Sequence, residues 1–381
     1  MTGHPHLLKQ TPFSSARRVA VVGGGVMGGF TAANLIQAGA QVTLYDPHPM
    51  GTGPGASVDT GRSFRVHYGA DEGLISMAVR ARRLWAEWSV QLERPLLHET
   101  GKLLVEQPGD RHALESWRTM RDMGLRADRL GRGRVAEEWP GFKAEQATVD
   151  RLGGVLDPEV ILQGLAVWLG KAGVEWRQEA FEVQAKAVRC AHGWADYDQV
   201  VVTKGAWTRR WVDVPMEVTR QQLVYFDASA LGERLHRLPV FSDLGSGFYA
   251  IPTVKDGRIK VANHHPGPAG HPDGDDRKVS AEFKEHARAF LAAHLPELAE
   301  ARIEWEYVCF YSGTADRDFI LDRTSDGLII GAGFSGHGFK FGPLIGRLLA
   351  QMALGVQPEF DVSRFAMTRE ALKGERTKLA V

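Results

Sequence analysis

Residues 17–47 read RRVAVVGGGVMGGFTAANLIQAGAQVTLYDP, and the order of patterns within them decides the fold. A short apolar run ends in glycines, a helical pattern carries on to Gly39, and a second apolar run ends at Asp46, which makes a strand, helix, strand beginning. Gly23, Gly25 and Gly28 form G-x-G-x-x-G, with Asp46 placed 23 residues after Gly23. Each part has its own physical reason. Gly23 permits a tight turn, Gly25 lets the backbone approach a pyrophosphate, Gly28 lets helix and strand pack closely, and the Asp46 carboxylate suits ribose hydroxyls. Val26 and Met27, inside the same loop, are counted with the cofactor-contacting residues.

Working outward, 381 residues fit one large or two interleaved domains. Lysine plus arginine equals aspartate plus glutamate at 46 each. That balance removes the long-range positive field that nucleic-acid binding exploits, so no nucleic acid is expected as a partner. Two cysteines, Cys190 and Cys309, are too few for a disulfide framework or a thiolate cluster. The histidines, including the H-P-H near the start, lack ligand spacing, so no metal is assigned. The opening MTGHPHLLKQTPFSSARR has no secretory pattern, no run of about 18 apolar residues occurs, and the ending GERTKLAV is not a peroxisomal signal. A cytoplasmic protein without a membrane segment is expected.

Further along, HETGKLLVEQ (98–107) reads as one strand, DRHALESWRTMRDMG as a helix and DPEVILQGLAVWLGKAG (157–173) as another. DYDQVVVTKGAW (196–207) reads as a buried strand that could return to the first sheet. Residues 215–309 alternate strand-like segments with one helix around 280–295, an α+β pattern. The block DGLIIGAGFSGHGFKFGPLIGRLLAQMALG is again strand, glycine loop, helix. The expected class is therefore α/β, a Rossmann-like dinucleotide domain with an inserted α+β domain containing a mixed sheet. The expected boundaries are 1–92, 151–214 and 310–381 for the former, and 93–150 and 215–309 for the latter.

GGGVMGG, GRSFRVHYG, EEWPGF, GGVLDPE, TKGAW, IKVANHH, VCFYSGTADRDFILD and GFSGHGFKFGP together resemble, nearly end to end, the monomeric sarcosine oxidase and N-methyltryptophan oxidase group within the D-amino-acid-oxidase-like superfamily. The resemblance implies FAD bound by the terminal segments and a substrate domain over its ring. Cys309 resembles the family cysteine that bonds the flavin 8α carbon, although read alone it is a small buried apolar residue. Gly333, Gly336 and Gly338, with Phe339 and Lys340, resemble the family's flavin-facing loop, and the helix beginning near Pro343 turns its positive end that way.

Lys340 and Arg65 resemble the cations that grip a substrate carboxylate; outside that context both are ordinary surface charges. Lys260 resembles the lysine that promotes electron transfer to O₂, the alternative being an exposed strand face shared with Arg258. His264, Tyr249, Tyr311 and Arg62 fall at family active-site positions, and the two tyrosines also suit ordinary core roles. The sequence departs from the family at Val58-Asp59-Thr60-Gly61-Arg62, where His-Gly-Asp-Thr-Arg is usual, and at Ser312, where threonine is usual.

The implied activity is oxidation of the C–N bond of a secondary amino acid, N-methyl or cyclic, to an imine by a monomeric flavin oxidase, with O₂ reduced to H₂O₂. A cyclic imino acid such as pipecolate or a dehydropiperidine carboxylate is the alternative substrate. A dehydrogenase with another electron acceptor and a flavin-binding module without turnover are the rival classes. Lys260 argues against the dehydrogenase, and Lys260 with the cation pair against the inert module.

Overall fold

The computed structural model describes residues 17–373. The readings made of the opening and closing segments lie outside the described residues. Within them the chain divides into two compact units, one of residues 17–58, 159–217 and 312–373, the other of 59–158 and 218–311. No helix among the described residues is long and apolar enough to cross a membrane.

The first unit is built on a six-stranded sheet. Arg18–Val22 lies at its middle because four of its five residues are apolar and buried, as a strand covered on both faces requires. Gln41–Tyr45 and Gln199–Val202 flank it in parallel, and Glu175–Arg177 and Ile329–Ala332 extend the parallel order outward. Ile320–Arg323 closes one edge antiparallel. The late strand around Val200 thus joins the first strand, as its apolar run suggested. Helix Val26–Gln37 packs against helix Gly342–Leu354, where Gly346 brings the two backbones together: a Cβ there would lie 2.5 Å from the Phe30 carbonyl carbon. The N-terminal and C-terminal segments therefore share one core.

The second unit contains an eight-stranded mixed sheet. Glu217–Asp227, Phe248–Thr253 and Arg258–Asn263 are its long antiparallel strands, and Val240–Asp243 runs parallel to Lys102–Val105. Helices Glu72–Gln91, Arg111–Asp122 and Ala281–His294 begin at Asp71, Asp110 and Ser280, whose side chains accept first-turn N–H groups.

Two sequence readings shift. HETGKLLVEQ is not one strand: Gly101, at φ +84°, breaks it into Leu97–His98 and Lys102–Val105, which pair in different sheets. Residues 59–92, expected with the terminal segments, group with the second unit, because Arg62–Phe64 pairs with Gly154–Leu156.

Candidate active site

The first unit carries the glycine turn. Gly23 sits at φ +118°, a conformation that side chains rarely adopt. A Cβ on Gly28 would lie 1.8 Å from the Gly23 carbonyl oxygen, so helix and turn touch backbone to backbone as the motif predicts. Gly25 caps the helix with no side chain of its own, leaving a helix N-terminus suited to a phosphate. The Val26 N–H donates to Ser57 Oγ at 3.1 Å. The Asp46 carboxylate, at the end of the second strand, accepts from Gly24 N–H at 2.8 Å and His48 N–H at 3.0 Å, and Lys204 Nζ lies 3.8 Å away.

Residues 333–343 follow in the same unit. Gly333 and Gly336 have φ of +64° and +77°, whereas Gly338 is needed for space, since a Cβ there would meet Phe334 Cβ at 2.5 Å. The loop is tied down by Ser335 N–H donating to Ser312 O at 2.8 Å, so the hydroxyl-bearing Ser312 acts here through its carbonyl. Lys340 is buried, its ammonium donating to His337 O at 2.7 Å. Phe339 and Lys340 form a short 3-10 turn before the helix Gly342–Leu354.

In the second unit, the sheet register sorts the remaining candidates. Lys102 faces Asp150 and Val240, and Lys260 faces Ile251 and Tyr225. Val240 packs on Ile251, so these residues share one face of the sheet. Cys309 joins it beside Tyr225, with Tyr249, Trp305, Tyr307 and Tyr311 packed around them. Lys260 is 1% exposed, so the reading of an exposed strand face fails at this residue. Burial, then the charge of Arg62, pulls its pKa down to about 8 against the opposing pull of Asp59. Burial raises the Cys309 thiol, and Arg62 and Lys260 work against that rise. Tyr249 is held protonated by burial and its contact with Tyr311, and His264 stands edge-on to its ring at 6.1 Å. Arg65 donates to His67 O at 2.6 Å with its guanidinium 4.2 Å from the Tyr68 ring centroid.

The structure adds residues that the motif reading passed over. The Asp59 carboxylate, fully buried, accepts from Lys260, Arg62 and Tyr225. Burial raises its pKa and Lys260 lowers it, the rise prevailing. Its signal was the departure Val58-Asp59-Thr60-Gly61-Arg62, an acid three residues before an arginine. Among the described residues, Tyr307 presents a buried hydroxyl with no hydrogen-bond partner, and Thr60 Oγ1 and Ser63 Oγ are likewise buried and unpaired.

Such orphaned polar atoms are what a bound polar cofactor would satisfy. In the first unit the helix N-terminus at Gly25, free of a side-chain cap, and the Asp46 carboxylate at the strand end suit a pyrophosphate and a ribose. The residues present therefore fit FAD. Among the described residues no cluster of histidine, cysteine or carboxylate side chains suits a metal ion.

The profile of the family described as FAD dependent oxidoreductase matches residues 18–352. Monomeric sarcosine oxidase of Bacillus sp. (strain B-0618) is 29% identical, over 95% of this chain and 98% of its own. N-methyl-L-tryptophan oxidase of Salmonella newport (strain SL254) is 24% identical, over 92% and 98%. Among solved structures, NikD, described as an unusual amino acid oxidase essential for nikkomycin biosynthesis, superposes with a TM-score of 0.80 at 21% identity, covering 92% of this chain and 97% of that one, a likeness of fold.

Proposed function

Since the chain belongs to the FAD-dependent oxidoreductase family, we propose that it oxidises a secondary amino acid, N-methyl or cyclic, at the carbon beside nitrogen. The C–H and N–H of the substrate become a C=N bond, and the two electrons and two protons released reduce O₂ to H₂O₂. Bound FAD supplies the two-electron chemistry, accepting hydride equivalents and delivering electrons to oxygen. The observation that carries the reading is the fully buried Lys260 on one sheet face with Cys309, beside Arg62.

Each side chain has a stated task. Arg65, held by the His67 carbonyl and the Tyr68 ring, offers a pre-oriented fork for the substrate carboxylate. Lys340 is assigned as a second carboxylate contact. A fixed carboxylate fixes the adjacent carbon, which lowers the entropy cost of reaction. Tyr249, Tyr311 and His264 form an aromatic wall that excludes water around the amine. A neutral amine releases hydride without a strong base, so none is assigned. The Lys260 ammonium offsets negative charge developing on reduced oxygen. Cys309 is proposed as the covalent anchor; burial raises its thiol, and Arg62 and Lys260 work against that rise. A monomer in the cytoplasm completes the proposal.

Acid precipitation of the purified protein tests the anchor: yellow colour stays in the pellet and is lost in Cys309→Ala. Colour released to the supernatant of the unsubstituted protein overturns the covalent assignment. For the oxygen step, Lys260→Met is expected to slow reoxidation of reduced protein by at least about 100-fold, the scale of a lost charge-stabilising donor. An unchanged rate removes Lys260 from that step.

A further inference from the structure

Lys260 donates both of its hydrogen bonds to one short segment, to the Asp59 carboxylate and to Gly61 O at 3.1 Å. Asp59 is held in turn by Thr60 N–H at 2.8 Å, by Arg62 and by the Tyr225 hydroxyl. Other groups approach from every neighbouring strand. Arg258 lies two residues back on the same face, its guanidinium 5.2 Å from the Tyr225 ring centroid. Cys309 and Tyr307 come from Ile303–Gly313, and Tyr249 from Phe248–Thr253. Arg277 acts on Cys309 and Tyr307. Three of these groups, Arg62, Arg258 and Arg277, are cations that oppose a further positive charge. Among the described residues, Asp59 is the one carboxylate bonded to Lys260.

We propose that Asp59 is a positioning residue for the oxygen step, fixing the Lys260 ammonium against residues 59–61 and keeping it protonated. The inference rests on the reading of Lys260 given above. Burial and Arg62 drive the lysine toward its neutral form, and the charge and hydrogen bond of Asp59 drive it back. Loss of the carboxylate therefore lets Lys260 give up its proton at lower pH, so the alkaline fall in oxygen reactivity moves to lower pH. A residue that merely braced the turn would leave that limb where it is.

The experiment uses the FAD-loaded protein reduced with dithionite, which makes it independent of the amino-acid substrate. Reoxidation by O₂ is followed by stopped flow from about pH 6 to about pH 10, spanning the region below the ordinary lysine value. The alkaline limb is expected to be present, absent in Lys260→Met, and lowered by at least about one pH unit in Asp59→Asn, a tenfold change in proton concentration. A limb that depends on Lys260 but is unmoved in Asp59→Asn overturns the role of Asp59 alone. A rate and limb untouched by Lys260→Met overturn the functional reading of Lys260, and the Asp59 proposal with it.

Should Asp59→Asn fail to fold, Asp59→Asn/Lys260→Met decides. With both partners gone no lysine charge is left uncompensated, so the double variant is expected to fold. A double variant that also fails to fold makes Asp59 a brace for the turn and overturns the proposal.

Discussion

Replacing Gly346 by alanine is a sharp test of the core shared by the two ends of the chain. A Cβ at this position would lie 2.5 Å from both the carbonyl carbon and Cβ of Phe30 and 2.7 Å from Thr31 N, whereas ordinary contact starts near 3.4 Å. The obstructing atoms are mostly helix backbone, so no side-chain rotation relieves the clash and the helices must part by about 0.9 Å, the difference between 3.4 and 2.5 Å. Overpacking of this kind costs about 1–3 kcal/mol. At about 2–4 °C per kcal/mol for a unit of this size, Tm should fall by roughly 2–12 °C. Gly170→Ala is the matched control, since Gly170 is exposed near the end of helix Pro158–Lys171 with nothing within 4 Å of its Cβ position. It should be neutral or stabilising by about 0.5 kcal/mol. Thermal unfolding followed by circular dichroism separates the pair. Equal Tm values for both variants and the parent would refute the reasoning.

Three other outcomes are expected. Burial brings the His67 imidazole from 6.5 down to about 3 despite its hydrogen bond with Asp150. Between those values the unfolded chain binds a proton that the folded one refuses, so stability present above pH 6.5 is lost on acidification, by up to about 1.4 kcal/mol per pH unit. Tm against pH should accordingly be shallower in His67→Gln, and parallel slopes would count against this. Asp46→Ala should weaken FAD binding by about tenfold, the scale of a hydrogen bond to a charged group. It is read by titrating FAD into apoprotein carrying Cys309→Ala, where no covalent bond forms, with and without Asp46→Ala, and an unchanged affinity would remove Asp46 from the ribose. Lys102 is buried, and burial, then the charge of Arg65, pushes it well toward the neutral form against the opposing pull of Asp150. Lys102→Met should raise stability by about 1 kcal/mol, measured as a higher Tm; a fall would mean that the lysine is compensated after all.

The first strand, helix and strand were legible because their signals are local: an apolar run, glycines at fixed offsets and an acid at the strand end. The alternation around Lys260 likewise forecasts a strand, whose register sets Lys260 opposite Tyr225, the residue beside which Cys309 packs. The departure at residues 58–62 marks Asp59 in the sequence, but its burial is not legible there, because its environment is made by residues far away in the chain, Tyr225 and Lys260, 166 and 201 positions off. Nothing within five residues of Asp59 says that its carboxylate will be buried. The break at Gly101 has a related cause, since what separates the two pieces is their pairing with distant strands, Leu97–His98 with Gly154–Leu156 and Lys102–Val105 with Gln146–Asp150. Lys102 shows the same limit: its cross-strand neighbours, not its own sequence context, bury it.

The most direct test of the central claim is anaerobic mixing of the FAD-loaded protein with sarcosine, N-methyl-L-tryptophan, pipecolate and a primary amino acid such as glycine, watching the flavin absorbance near 450 nm, followed by admission of O₂. The account predicts bleaching by one or more of the secondary amines, rapid recovery in O₂, and one H₂O₂ formed per substrate consumed. Bleaching by glycine alone, or a reduced flavin that persists in O₂, would contradict it.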